Sequence, residues 1–174
     1  MSPEFSRPER LDAIGAGERD VTIAADSGER AALAARFGLV AIERLEARFG
    51  LRKDAAGIRA RGRLSAALTQ ACVVTEDSIP VTLDEDFDLR FIPEPDAPDD
   101  DEIELSEDSC DVVFFTGGAI DLGEAAAETM ALALDPFPRG PRAAEVLAEA
   151  GVVAEEDAKP IGALAGLKDM LKWR

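Results

Sequence analysis

The sequence predicts an α+β fold: a curved antiparallel sheet of about five or six strands, with covering helices. Barrel-like closure is one form that sheet can take. Three observations lead there. Apolar and charged residues alternate through most of residues 41–91, the connections inside that stretch are short, and two helix-start signatures lie outside it. A period of two held this long means strands with one buried face, and short connections favour antiparallel pairing.

Val21-Thr22-Ile23 alternates and forms a first short strand. Asp26-Ser27-Gly28-Glu29 reads as a capping box, with Asp26 as N-cap and Glu29 three residues later. The helix it opens, Glu29 to about Phe37, carries Leu33 and Phe37 on one face, and Gly38 is placed to end it. From Ala41 to Arg52 the apolar set is Leu45, Ala47, Phe49 and Leu51, with Arg44, Glu46, Arg48 and Arg52 between them. From Ile58 to Leu68 the apolar face is Ile58, Ala60, Leu64, Ala66 and Leu68, set against Arg59, Arg61, Arg63 and Ser65. From Ile79 to Phe91 one row holds Ile79, Val81, Leu83, Glu85, Phe87, Leu89 and Phe91, and the other holds Thr82, Asp84, Asp86, Asp88 and Arg90. Ala71-Cys72-Val73-Val74 is apolar throughout and is expected to lie deeper than its neighbours.

Residues 94–108 are rich in Pro, Asp and Glu and are expected to form a mobile acidic loop. Asp111-Val112-Val113-Phe114-Phe115 reads as a further strand and Gly117-Gly118 as a turn. Asp121-Leu122-Gly123-Glu124 is a second capping box, opening a helix to about Leu134 that Pro136 stops. Ala143–Ala150 suits a short helix, and residues 161–173 suit an amphipathic C-terminal helix with Pro160 near its start. No internal repeat is visible, and the reading is one domain over 1–174.

Charge is distributed unevenly. The net charge is −17, and the span between Phe91 and Pro138 contributes −14 of it with no Lys or Arg. Residues 44–63 reverse the sign, with seven basic residues against Glu46 and Asp54. If the apolar sides of the two strands face the core together, Arg44, Arg48, Arg52, Arg59, Arg61 and Arg63 share one outer surface. Such a cluster suits phosphate, and without stacking aromatics it does not suit base readout. The acidic run Asp99, Asp100, Asp101 and Glu102 suits a basic protein partner.

With no His and only two cysteines, Cys72 and Cys110, His-based triads and four-cysteine zinc sites are excluded. Gly15-Ala16-Gly17 is followed by Asp20 where a dinucleotide fingerprint needs Gly. Asp84-Glu85-Asp86-Phe87-Asp88 imitates a calcium loop, but the sixth position is Leu89 and the twelfth Pro95. No metal, cofactor or small-molecule substrate is expected, and the chain is read as not an enzyme. No apolar run approaches the roughly 20 residues of a membrane helix. The N-terminus lacks the apolar stretch of a signal peptide. No membrane partner is expected, and a cytoplasmic location follows.

Six stretches occur in an order that resembles a known family. They are Glu4-Phe5-Ser6-Arg7-Pro8, the helix Glu29–Phe37, Thr69-Gln70-Ala71-Cys72-Val73-Val74-Thr75, Ile120-Asp121-Leu122-Gly123-Glu124, residues 132–139, and Ala163-Leu164-Ala165-Gly166-Leu167-Lys168. Together they resemble the YceD-like family, or large ribosomal RNA subunit accumulation protein family, in the style of its alphaproteobacterial members. Gln70, Cys72, Thr75, Asp121, Pro136, Pro138 and Arg139 carry the likeness.

The resemblance implies a role in accumulation of 23S ribosomal RNA, with no known catalysis and no established cofactor. Some family members carry extra cysteines suggestive of zinc. Here Cys72 lacks a CxxC partner and residues 136–142 hold no cysteine. The expected partner is large-subunit rRNA, a basic ribosomal protein, or both. The rival readings are a magnesium-dependent nuclease built on Asp84, Asp86 and Asp88, and an interaction module with no ribosomal link.

Overall fold

The structure is a computed structural model that describes residues 3–94 and 111–152. The C-terminal helix expected at 161–173, the acidic loop beyond Glu94, and Cys110 lie outside the described residues.

In chain order the elements are β1 (Pro8–Arg10), a 3-10 turn (Leu11–Ala13), β2 (Arg19–Ala24), α1 (Ser27–Phe37), β3 (Ala41–Asp54), β4 (Gly57–Ala71) and β5 (Ser78–Pro93). Then come β6 (Asp111–Phe115), β7 (Ala119–Asp121), α2 (Leu122–Leu132) and α3 (Ala143–Glu149). Among the described residues they make a five-stranded sheet, ordered β2-β3-β4-β5-β6, and a two-stranded ribbon, β1-β7. The fold is α+β, as the alternation predicts. The sheet is open rather than barrel-like, because its edges β2 and β6 do not pair with each other.

The alternation sorts the two faces. Leu45, Phe49 and Leu51 of β3, Ile58, Leu64 and Leu68 of β4, and Leu83, Leu89 and Phe91 of β5 are buried. Leu33 of α1 and Leu122, Ala126 and Met130 of α2 join the same core. α1 and α2 therefore cover one face, and the charged residues of the strands line the other, except Glu85, which stands opposite the buried Leu64 on the helix side. A bulge between Ile42 and Arg44 breaks the β3–β4 register once and adds local twist.

Both helix-start signatures mark real helices. Asp26 caps α1 through the Gly28 and Glu29 amides, the Glu29 side chain returns the bond to the Asp26 amide, and Gly38 ends the helix at φ 65°. The second box is only half made. Asp121 accepts from the Gly123 and Glu124 amides, but the Glu124 side chain reaches Arg36 instead.

Two expectations need correction. β6 runs parallel to β5, not antiparallel. Residues 94–110 lie between the two strands, more than the dozen or so that a parallel crossover needs. The Ala71–Val74 stretch is not uniformly deep: Cys72 is buried, but Val73 is 54% exposed. β4 ends at Ala71, and the chain turns there, with the Cys72 amide donating to the Asp77 carbonyl and the Glu76 amide to the Cys72 carbonyl.

Candidate functional site

The six arginines read from the sequence do come to one face of the sheet. Arg48 stands opposite Arg63, and Arg52 opposite Arg59, across the β3–β4 ladder. Like charges directly opposite one another destabilise a sheet by a few tenths of a kcal/mol or more. The next strand relieves this. Arg61 stands opposite Asp88, and Arg63 opposite Asp86, across β4–β5.

All three β4 arginines make ion pairs with β5 aspartates. Arg59 reaches Asp88 at 2.7 Å and Arg61 reaches the same carboxylate at 2.9 Å. Arg63 reaches Asp84 at 2.5 Å and Asp86 at 3.1 Å. The Arg63 hydrogen bond holds the Asp84 carboxyl below its ordinary value, and the Arg59 bond, seconded by Arg61, does the same for Asp88. Arg44 lies 3.7 Å from Glu46 on its own strand. Arg48 and Arg52 are exposed, and among the described residues they lie in no ion pair. The surface is a ladder of two basic rows and one acidic row. Asp99, Asp100, Asp101 and Glu102 lie outside the described residues.

The residues that carry the family likeness gather at two other places. At the β4–β5 turn, the buried Gln70 side chain donates through Nε2 to the Asp135 carbonyl at 3.0 Å. The Val73 amide donates to the Pro138 carbonyl at 2.9 Å. Arg142 pairs with Asp77, whose carboxyl that bond and Thr75 hold below its ordinary value. Residues 135–142 are thus strapped across the turn. Pro136 and Pro138 suit the strap because they have no amide proton to satisfy and fix φ. Arg139 is exposed on it, beside Phe137 at 70% exposure.

Cys72 lies under the strap at 1% exposure. The neighbouring Thr75 side chain and the Gly140 amide, 3.3 Å from Sγ, draw the thiol down to about 7, against burial, which raises it. Access, rather than ionisation, therefore limits its chemistry. In a Cys110→Ser variant, Cys72 is expected to react with a chromogenic disulfide reagent at least about 100-fold more slowly when folded than when unfolded. Equal rates would show an open, reactive thiol.

The second place is built on Asp121. Its carboxylate accepts from the Arg7 amide at 2.8 Å and from the Ser6 hydroxyl while capping α2. The Arg7 guanidinium in turn grips Glu29 at 2.6 and 2.9 Å and the Ala24 carbonyl at 3.1 Å. Three of the ordered stretches therefore meet at one knot. Their spacing in sequence gives no sign of this meeting.

Among the described residues, no group of three or more acidic or cysteine side chains is arranged to hold a metal ion. No described helix is long and apolar enough to cross a membrane.

A family model, described as large ribosomal RNA subunit accumulation protein YceD, matches residues 60–170. That span takes in most of β4, the whole of β5, the strap and the Asp121 cap. No curated protein and no solved structure matches the chain.

Proposed function

Since the chain belongs to the YceD family of large ribosomal RNA subunit accumulation proteins, we propose that it is a non-catalytic, cytoplasmic ribosome-assembly factor. It supports 23S rRNA accumulation by holding a basic ribosomal protein of the large subunit. The observation that carries the choice of partner is the pairing of Arg59, Arg61 and Arg63 with Asp84, Asp86 and Asp88. With Arg44 beside Glu46 as well, four of the six arginines of the candidate phosphate-binding cluster are already engaged, and a net charge of −17 repels RNA at long range. The same pairing supports reading the acidic row as one side of a structural ladder rather than as the magnesium site of a nuclease.

A second reading, direct contact with rRNA phosphates, is favoured by Arg48 and Arg52, which lie in no ion pair among the described residues. Binding of a 23S rRNA fragment to the wild type and to an Arg48→Glu, Arg52→Glu variant separates the two. A protein-binding factor is expected to show weak RNA affinity that changes less than about twofold. A loss of tenfold or more, with about two units removed from the salt slope, would assign the face to RNA.

A further inference from the structure

β5 is paired along its whole length with β4, but on its other side β6 covers only Leu89–Pro93. Among the described residues no strand borders β5 before Leu89. A sheet edge of this kind presents backbone N–H and C=O groups ready to pair with another chain. Beside it lies a groove of about 780 Å³ between β5, the start of β6 and α2.

The groove has two kinds of lining. Phe87 and Leu89 supply apolar surface, and Leu132 of α2 stands at its side with 84% exposure. Glu85, Asp111 and Glu128 bring carboxylates from three different elements. All three are exposed, and among the described residues none lies in an ion pair. The acids of the ladder are neutralised by arginine; these are not.

We propose that this groove binds an extended Lys/Arg-rich segment of the partner protein, which joins the sheet as a strand beside residues 84–88. The inference rests on the reading of the chain as a holder of a basic ribosomal protein, and it adds where and how that protein is held. Backbone pairing supplies the strand's place, and alternate side chains supply the specificity. Glu85, Phe87 and Leu89 share one row of β5, so the lysine and arginine side chains on that side of the segment lay their stems along Phe87 and reach Glu85, Asp111 and Glu128 with their charged ends. Such charge complementarity also speeds encounter and makes binding sensitive to salt.

The test is a fluorescence titration with a short labelled peptide of alternating lysine and valine. A second peptide of the same sequence carries N-methyl groups on alternate amides and cannot add to a sheet edge. The wild type is expected to bind the first at least about tenfold more tightly than the second. The Glu85→Lys, Glu128→Lys variant is expected to lose about tenfold for the first peptide, with circular dichroism unchanged. Leu132→Ser, a change at an exposed site, provides an independent variant and is expected to weaken binding severalfold.

Equal binding of the two peptides, or full affinity in the charge-reversed variant, would overturn the proposal. So would concentration-dependent dimerisation, seen by sedimentation and abolished in the same variant, which would give the groove to a second copy of the chain. RNase-treated copurification with both proteins separates this claim from the function it rests on. A ribosomal protein still held by the charge-reversed variant overturns the groove and leaves the function standing. If the wild type holds none, the function falls, and the peptide titration alone decides the groove.

Discussion

Replacing Gly62 with alanine is expected to destabilise the fold by about 3 kcal/mol, seen as a fall of about 10 °C in Tm. Gly62 lies in β4, the central strand of the sheet, opposite Phe49 on β3 and Phe87 on β5. Those two rings close over it, with centroids 4.9 Å apart. A Cβ at Gly62 would stand 1.8 Å from the Arg48 carbonyl oxygen and 2.6 Å from the Phe87 ring. The ring can swing aside, but the carbonyl belongs to the paired backbone of β3. Relief requires β3 and β4 to part. Gly118, in a turn with nothing within 4 Å of its Cβ position, is the control, and Gly118→Ala is expected to change stability by less than about 0.5 kcal/mol. A Gly62→Ala protein that melts with the wild type would show that β3 and β4 do not approach so closely.

Asp121→Ala is expected to cost about 3 kcal/mol. The lost N-cap accounts for about 1 kcal/mol, and the unsatisfied Arg7 amide and Ser6 hydroxyl, both part-buried, for the rest. Asp121→Asn keeps an acceptor oxygen and is expected to cost about 1 kcal/mol. Urea unfolding measures both. Hydrogen exchange locates the effect: the amides of Arg7, Gly123 and Glu124 are expected to lose protection in the alanine variant first. A loss spread evenly over the sheet, with those amides unchanged, would mean that Asp121 is not the knot between the N-terminal stretch and α2.

These two residues mark how far the sequence alone reaches. The strands β3, β4 and β5 are legible because each long apolar row must face the core, which fixes which side chains share a surface. The rows of Arg59, Arg61, Arg63 and of Asp84, Asp86, Asp88 are equally visible. What period two does not supply is register, so their neutralisation of one another appears only when Arg61 is seen opposite Asp88. The β1-β7 ribbon escapes notice because three-residue strands carry no periodicity. β6 is recognisable as a strand, but its direction depends on what lies between it and β5. The groove beside β5 depends in turn on β6 pairing with only the last part of that strand, a fact of topology and not of composition. Gln70, Cys72 and Pro138 stand out by their likeness to a family, and only the fold shows that they strap one segment over one turn.

As proposed above, the chain acts through a basic protein of the large subunit and performs no chemistry of its own. The most direct measurement is copurification of the tagged full chain, with and without RNase, read by mass spectrometry and RNA sequencing together. A Lys/Arg-rich large-subunit ribosomal protein is expected to be enriched and to survive RNase treatment. Enrichment of 23S rRNA with every ribosomal protein lost on RNase treatment would contradict it and give the function to the arginine face.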